Sequence, residues 1–256
     1  MRTWGLIAVL LFSTFGCPKT PPEQTDMRPL PEPAALLESL RADNDRKNLR
    51  ALGRVTYYGD QGRVRLKAVL LAERPGRFRI ETLSPLEQPI DVMACDGETL
   101  WLLSQGRLKT GRATPQNISR LLPLSMKASE VVDTLLGGVP TSDRFDPAKV
   151  ERIEDTDALA LELTSNLDER VWLRVDPVKR VVEEMKLFAT NHAERVHVKF
   201  DDFEATPGGR PLPRSMEIRM DGLDVRIKLT EADVDVPLDA TLFTLVPPDG
   251  VEAEPL

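Results

Sequence analysis

The chain has 256 residues, of which 41% are hydrophobic, 29% charged and 5% aromatic, enough for one large or two small globular domains. That balance excludes a collagen, a coiled coil and a wholly disordered chain. Thirty-four basic against 41 acidic side chains give a net charge of −7, and no Lys/Arg run exceeds two residues, which argues against a nucleic-acid partner. With two His and two Cys, most metal sites and most Cys/His or Ser/His catalytic arrangements are short of parts.

The N-terminus points to a compartment. Arg2 supplies a positive start, Trp4 to Phe12 is an almost unbroken apolar run, and Ser13-Thr14-Phe15-Gly16 leads to Cys17. This order reads as a secretory signal over residues 1–16. Trp4 to Gly16 spans only 13 residues, whereas a membrane-crossing helix needs about 20. Cys17 stands where a bacterial lipobox places its acceptor cysteine, although Thr14 departs from the usual Leu or Val, and it is the expected lipidation site. Each buried acyl methylene contributes about 0.8 kcal/mol, so several chains on Cys17 hold a protein on a membrane. Cys95 is then a lone thiol, expected as a small buried hydrophobe.

Pro18 to Pro33 holds six prolines in sixteen residues and almost no large apolar groups. It reads as an extended tether reaching roughly 50 Å at about 3.1 Å per residue. The expected organisation is therefore a signal (1–16), a lipidated Cys with a Pro-rich tether (17–33), and one folded domain (34–256). Ala35, Leu36, Leu40, Leu49 and Leu52 recur at roughly helical spacing, which predicts one amphipathic helix from Ala34 to about Leu52.

Beyond Gly53 the apolar period becomes two. Val64-Leu66-Ala68-Leu70, Phe78-Ile80, Ile90-Val92-Ala94, Leu159-Leu161-Leu163, Val171-Leu173-Val175, Val196-Val198-Phe200, Met216-Ile218-Met220 and Val225-Ile227-Leu229 alternate with mainly polar residues. They predict a large antiparallel sheet with one apolar face and a charged, solvated opposite face of mixed sign. Between Thr114 and Gly138 the spacing of Ile118, Leu121, Leu122, Val131, Val132, Leu135 and Leu136 predicts two short helices, stopped by Gly137-Gly138 before Pro140. Helices in mid-chain can fold over the apolar face of such a sheet and leave a lined cavity.

Catalytic signatures are missing: no GxSxG, P-loop, GxGxxG or HExxH occurs. His192 and His197, five apart, point to opposite faces if they share a strand. Asp201-Asp202 is expected to close a strand and Asp233/Asp235 to sit in a loop, both ordinary solvated positions; Gly208-Gly209 between Pro207 and Pro211 reads as a turn. No enzymatic activity and no cofactor are expected.

The run Arg74 to Leu103, RPGRFRIETLSPLEQPIDVMACDGETLWLL, resembles the strand, apolar-tipped loop, strand and Asp-Gly hairpin of the bacterial lipoprotein-localisation proteins, the LolA/LolB superfamily. The insert Asn117 to Pro140 is similar to the mid-chain helices of LolB-like receptors. The ending Phe243 to Val251 resembles the closing strand of LolA-like carriers, and a lipidated N-terminus matches the receptor. The resemblance implies an α+β, mainly β architecture: a strongly curved antiparallel half-barrel of about 10–11 strands, with a helical lid over an apolar cavity. It implies transfer of lipoprotein acyl chains, received from a LolA-like carrier, into the outer membrane by a monomeric, lipid-anchored, periplasm-facing protein. Phe78, Ile80, Val92, Leu100, Leu102, Leu121, Val132, Leu136, Leu173, Val198, Phe200, Ile218 and Ile227 are expected to line one continuous acyl-chain cavity. Leu86, between Pro85 and Glu87, takes the place of the receptors' membrane-inserting leucine. The competing expectation is an envelope lipoprotein of the same fold acting as a structural module or general lipid binder.

Cys17→Ala should release the protein from the membrane fraction. Mass spectrometry finding unmodified Cys17 in membrane-bound wild-type protein would contradict this assignment.

Overall fold

A computed structural model describes residues 29–59, 62–122, 125–208, 210–220, 222–247 and 252–256. The signal, Cys17 and most of the tether lie outside the described residues, as do Gly209 and the end of the expected closing strand.

Helix α1 (Pro33–Asp43) begins at a proline, whose fixed φ suits the first helical turn, and buries Leu37 and Leu40. It ends well before Leu52. Leu49 and Leu52 lie on strand β1 (Asn48–Gly59), where Leu49, Ala51 and Val55 are buried at a spacing of two. The helical spacing there is fortuitous: Leu49 and Leu52 are three residues apart and so fall on opposite faces of β1, Leu49 buried and Leu52 only partly so.

An antiparallel meander follows, with β2 (Gly62–Glu73), β3 (Arg77–Leu83), β4 (Pro89–Cys95), β5 (Thr99–Ser104) and β6 (Arg107–Arg112). Helices α2 (Pro115–Leu121) and α3 (Ala128–Leu135) come next. A second meander comprises β7 (Phe145–Arg152), β8 (Leu159–Ser165), β9 (Arg170–Asp176), β10 (Val181–Phe188), β11 (Glu194–Ala205), β12 (Pro211–Met220) and β13 (Leu223–Val234). Pairing of β13 with β1 joins the two meanders, and β14 (Glu254–Pro255) adds in parallel to β6. The result is one open, curved sheet in the order β14-β6-β5-β4-β3-β2-β1-β13-β12-β11-β10-β9-β8-β7.

Among the described residues there are fourteen strands, against the expected ten or eleven. The additional ones are short or irregular; β10, for example, shifts register between Val182 and Glu184, so its apolar residues do not alternate cleanly. Asp201-Asp202 does not close a strand, because β11 continues to Ala205 past an irregularity at Asp202, whose φ is 58°. Asp233 lies within β13, while Asp235 follows it and accepts the Lys47 backbone N–H at 2.7 Å. His192 occupies the β10–β11 turn, and His197 contacts Glu184 at 3.2 Å. The C-terminal expectation also changes. Phe243 ends a single 3₁₀ turn, Ala240–Phe243, rather than starting a strand. That turn packs on the convex face of β3 and β4, where Phe243 is buried and Arg77 stacks on its ring at 5.5 Å.

The crossing from β6 to β7 takes the chain between opposite sides of the sheet, so α2 and α3 pass over the concave face. Helix α3 turns Val131, Val132 and Leu135 into the core and is stopped by Gly137 and Gly138, both at positive φ. A Cβ at Gly138 would stand 2.5 Å from the Phe200 ring, so only glycine permits this approach. Acidic side chains fasten the same helix from two flanks. Asp133 pairs with Arg74 at 2.8 Å and accepts the Thr141 hydroxyl at 3.0 Å; Glu130 pairs with Arg195 at 2.6 Å and Arg144 at 3.1 Å. Below the helix end, Arg46 donates to the Leu136 carbonyl at 3.1 Å; burial, with Arg74 nearby, lowers its pKa to about 10.

Burial raises the Asp133 carboxyl pKa against the opposing pull of Arg74 and Thr141. The folded state therefore holds that proton to higher pH than the unfolded chain, and this residue's contribution to stability declines as pH rises through the raised pKa. Asp133→Ala, which strands the buried Arg74 guanidinium, should cost about 3–5 kcal/mol in urea denaturation at neutral pH. Asp133→Asn keeps an acceptor and should cost less; equal stability of Asp133→Ala and wild type would contradict the clamp.

Candidate functional site

A cavity of about 530 Å3 opens at the end of the sheet that carries the β1–β2, β3–β4, β5–β6 and β12–β13 turns. Its volume falls in the range of small-molecule sites. The wall is set by strand register. Ile80, Met93 and Leu102 lie side by side across β3, β4 and β5, and nearer the β1–β2 turn Leu66 and Val64 on β2 and Tyr57, the cross-strand partner of Val64, on β1 add to the lining. Leu121 and Leu122, at the end of α2, close one side, and Leu223 at the start of β13 lies among the lining residues. Thr114 caps α2 by accepting the Asn117 N–H at 3.2 Å, and Ile118 anchors the helix in the core.

The thirteen residues expected to share one interior fall into separate groups. Ile80, Leu102 and Leu121 line the cavity. Ile80 also borders, with Ile218 and Ile227, a void of about 30 Å3 under α3, too small for more than a water or two. Phe78, Leu100, Val132, Leu136, Leu173, Val198 and Phe200 are buried in the packed core and do not line this cavity. Val92 requires a correction. It pairs with Glu81 and Leu103, whereas the concave row at this level is Ile80, Met93 and Leu102. Val92 is therefore on the convex face, buried in the region covered by the C-terminal 3₁₀ turn. Covering both faces of β4 made its residues apolar at either parity, so alternation alone could not select the inward set.

Met93, Tyr57, Leu122, Leu223, Thr82, Asp91 and Ser104 were absent from the expected lining. The usable signal was the Asp96-Gly97 hairpin. Its turn sets Cys95 opposite Leu100 and therefore Met93 opposite Leu102. Cys95 itself is fully buried, and burial pushes its thiol up to about 11, which keeps it protonated. Burial also raises the Tyr57 phenol at the inner wall.

Beside the mouth, the β3–β4 turn presents Leu86 with 82% of its surface exposed. The turn is built around Ser84, whose N–H donates to the Gln88 carbonyl at 2.8 Å and whose hydroxyl accepts the Leu86 and Gln88 N–H groups at 3.2 and 3.1 Å. Glu87, at φ 61°, pairs with Lys67, which holds its carboxyl below the usual range. Ile90 and Val64, also exposed, lie near the same end. Among the described residues, no group of three or more His, Cys, Asp or Glu could hold a metal ion.

No family model matches the chain, and no curated protein matches it significantly. Solved structures do. A LolA superfamily protein from Nitrosomonas europaea aligns over 84% of this chain and 99% of its own, with a TM-score of 0.61 at 14% identity. A DUF1329 family protein from Desulfovibrio piger aligns over 83% and 95%, with a TM-score of 0.65 at 11% identity. A putative outer membrane lipoprotein-sorting protein domain from Vibrio parahaemolyticus aligns over 83% and 97%, with a TM-score of 0.57 at 12% identity. Identities this low leave the backbone path as the shared property, over about five-sixths of this chain and nearly all of each neighbour. The protein has the LolA/LolB-like fold.

Proposed function

We propose that the protein is an outer-membrane lipoprotein that takes acyl chains of lipoproteins, or of lipids, into the cavity beneath α2 and helps deliver them to the membrane. The observation that carries this reading is the apolar space of about 530 Å3 left between the Ile80-Met93-Leu102 wall and Leu121-Leu122. An acyl chain needs only an apolar surface and a route in and out, and this cavity opens directly to solvent. A LolA-like carrier is the fitting donor, since the two proteins would then present cavities of one architecture to each other. Lipidation at Cys17 would keep the protein at the periplasmic face of the outer membrane, with the proline-rich segment as spacer. Non-enzymatic transfer suits a site whose lining is mostly aliphatic.

Leu86 is the candidate insertion tip. Its burial in lipid would contribute about 1.5–3 kcal/mol, which favours movement of cargo toward a bilayer. A structural role in the envelope is the second reading, favoured by the interior over β7–β12, which is filled by the protein's own side chains.

Two measurements test the proposal. Soluble protein lacking Cys17 should bind an uncharged fluorescent acyl probe saturably, with a triacylated lipopeptide displacing it; folded protein without saturable binding favours the structural role. Leu86→Glu should leave that binding and the melting temperature unchanged while slowing transfer of acylated cargo to liposomes at least about tenfold, equivalent to ~1.4 kcal/mol. Equal transfer by the two proteins removes Leu86 from the mechanism.

A further inference from the structure

The cavity wall is layered in a way that its volume alone does not express. One residue pair outward from the apolar row Ile80-Met93-Leu102, strand register sets Thr82, Asp91 and Ser104 in a second row across β3, β4 and β5. All three line the cavity, and Asp91 is its only charged lining residue among the described residues. The Ser104 hydroxyl donates to the Asp91 carboxylate, and among the described residues no cation stands within ion-pairing distance of it. Arg107 and Lys109 extend the two rows on β6, yet both are exposed and neither lines the cavity.

We infer that Asp91 selects the head group of the cavity's ligand, admitting acyl chains with an uncharged N–H-bearing or cationic head and rejecting anionic ones. The inference rests on the acyl-binding reading above. A chain lying along the apolar row brings its head to the level of the polar row. There the carboxylate, with one oxygen engaged by Ser104, has acceptor capacity left for an N–H or ammonium donor. An anionic head at the same place meets like charge in a partly desolvated rim, where repulsion is stronger than in water. Amide-linked acyl chains meet the requirement, whereas free fatty acids do not. The same carboxylate would therefore keep abundant anionic amphiphiles from occupying the site.

The test compares three ligands of one chain length, hexadecanamide, hexadecylammonium and hexadecanoate, below their micelle-forming concentrations. Each competes with the uncharged fluorescent acyl probe at pH 7.5 and low salt. Wild-type protein should bind the amide and the ammonium at least about tenfold more tightly than the carboxylate, or ~1.4 kcal/mol. In Asp91→Asn, which conserves shape and an acceptor for Ser104, the amide-to-carboxylate ratio should fall to within about threefold. Hexadecanoate binding as tightly as the amide in wild type, or a ratio unchanged in Asp91→Asn, overturns the role of Asp91 while leaving acyl binding intact. Displacement by none of the three, with a folded protein, overturns the acyl-binding reading itself and this inference with it.

Discussion

An open sheet with one apolar face must have that face covered, and the path from β6 to β7 determines how. These strands lie at or next to opposite edges of the sheet, so the connecting chain must cross the concave surface. The lid is therefore a consequence of strand order rather than an added part. Had β7 paired beside β6, α2 and α3 could have packed elsewhere, and the inward residues of β1, β2, β12 and β13 would lack a cover.

The two lid helices divide the work unequally. Helix α3 sits deep, with Val132 and Leu136 fully buried, and its acidic face is fastened by Arg74, Arg144 and Arg195 from three separate parts of the chain. Beside it, Lys127 pairs with Glu169 at 2.7 Å; burial alone would raise the Glu169 pKa, but Lys127, Arg144 and Arg195 together hold it low. Partly buried ion pairs are poor sources of net stability and good sources of register, because a displaced helix leaves charges without partners. The lid is thus fixed between the β2–β3 turn and β11, over an interior that is nearly full. Helix α2 is shorter, buries Ile118 alone among its described residues, and ends in Leu121 and Leu122 beside the remaining space. The void lies where the cover is lightest.

The alternating strands and the two mid-chain helices were legible because each has one buried face, so local period and tertiary burial agree. Places where two environments compete were not. Leu49 and Leu52 fit a helical spacing with Leu40, yet on β1 they lie on opposite faces of the sheet, and only Leu49 is fully buried. On β4, Val92 and Met93 are both buried because the C-terminal turn covers one face and the cavity the other. The cavity lining was harder still. Whether an inward apolar residue faces space or another side chain depends on how far α3 descends, and that depends on Gly138 lying against Phe200 and on ion pairs spanning as many as 65 positions in sequence. Leu86 was legible from a local cue, since prolines on both sides and Ser84 at the turn leave the intervening side chain little to pack against.

The central claim is that one part of the interior is space for an acyl chain and the rest is packed core. Methyl-resolved NMR of the Cys17-deleted protein, titrated with an uncharged acyl ligand, tests it most directly. The account predicts saturable shifts at Ile80, Met93, Leu102 and Leu121, while Leu136, Leu173 and Val198 stay in place. Shifts centred on Leu136, Leu173 and Val198, or none at any of these methyls, would contradict it.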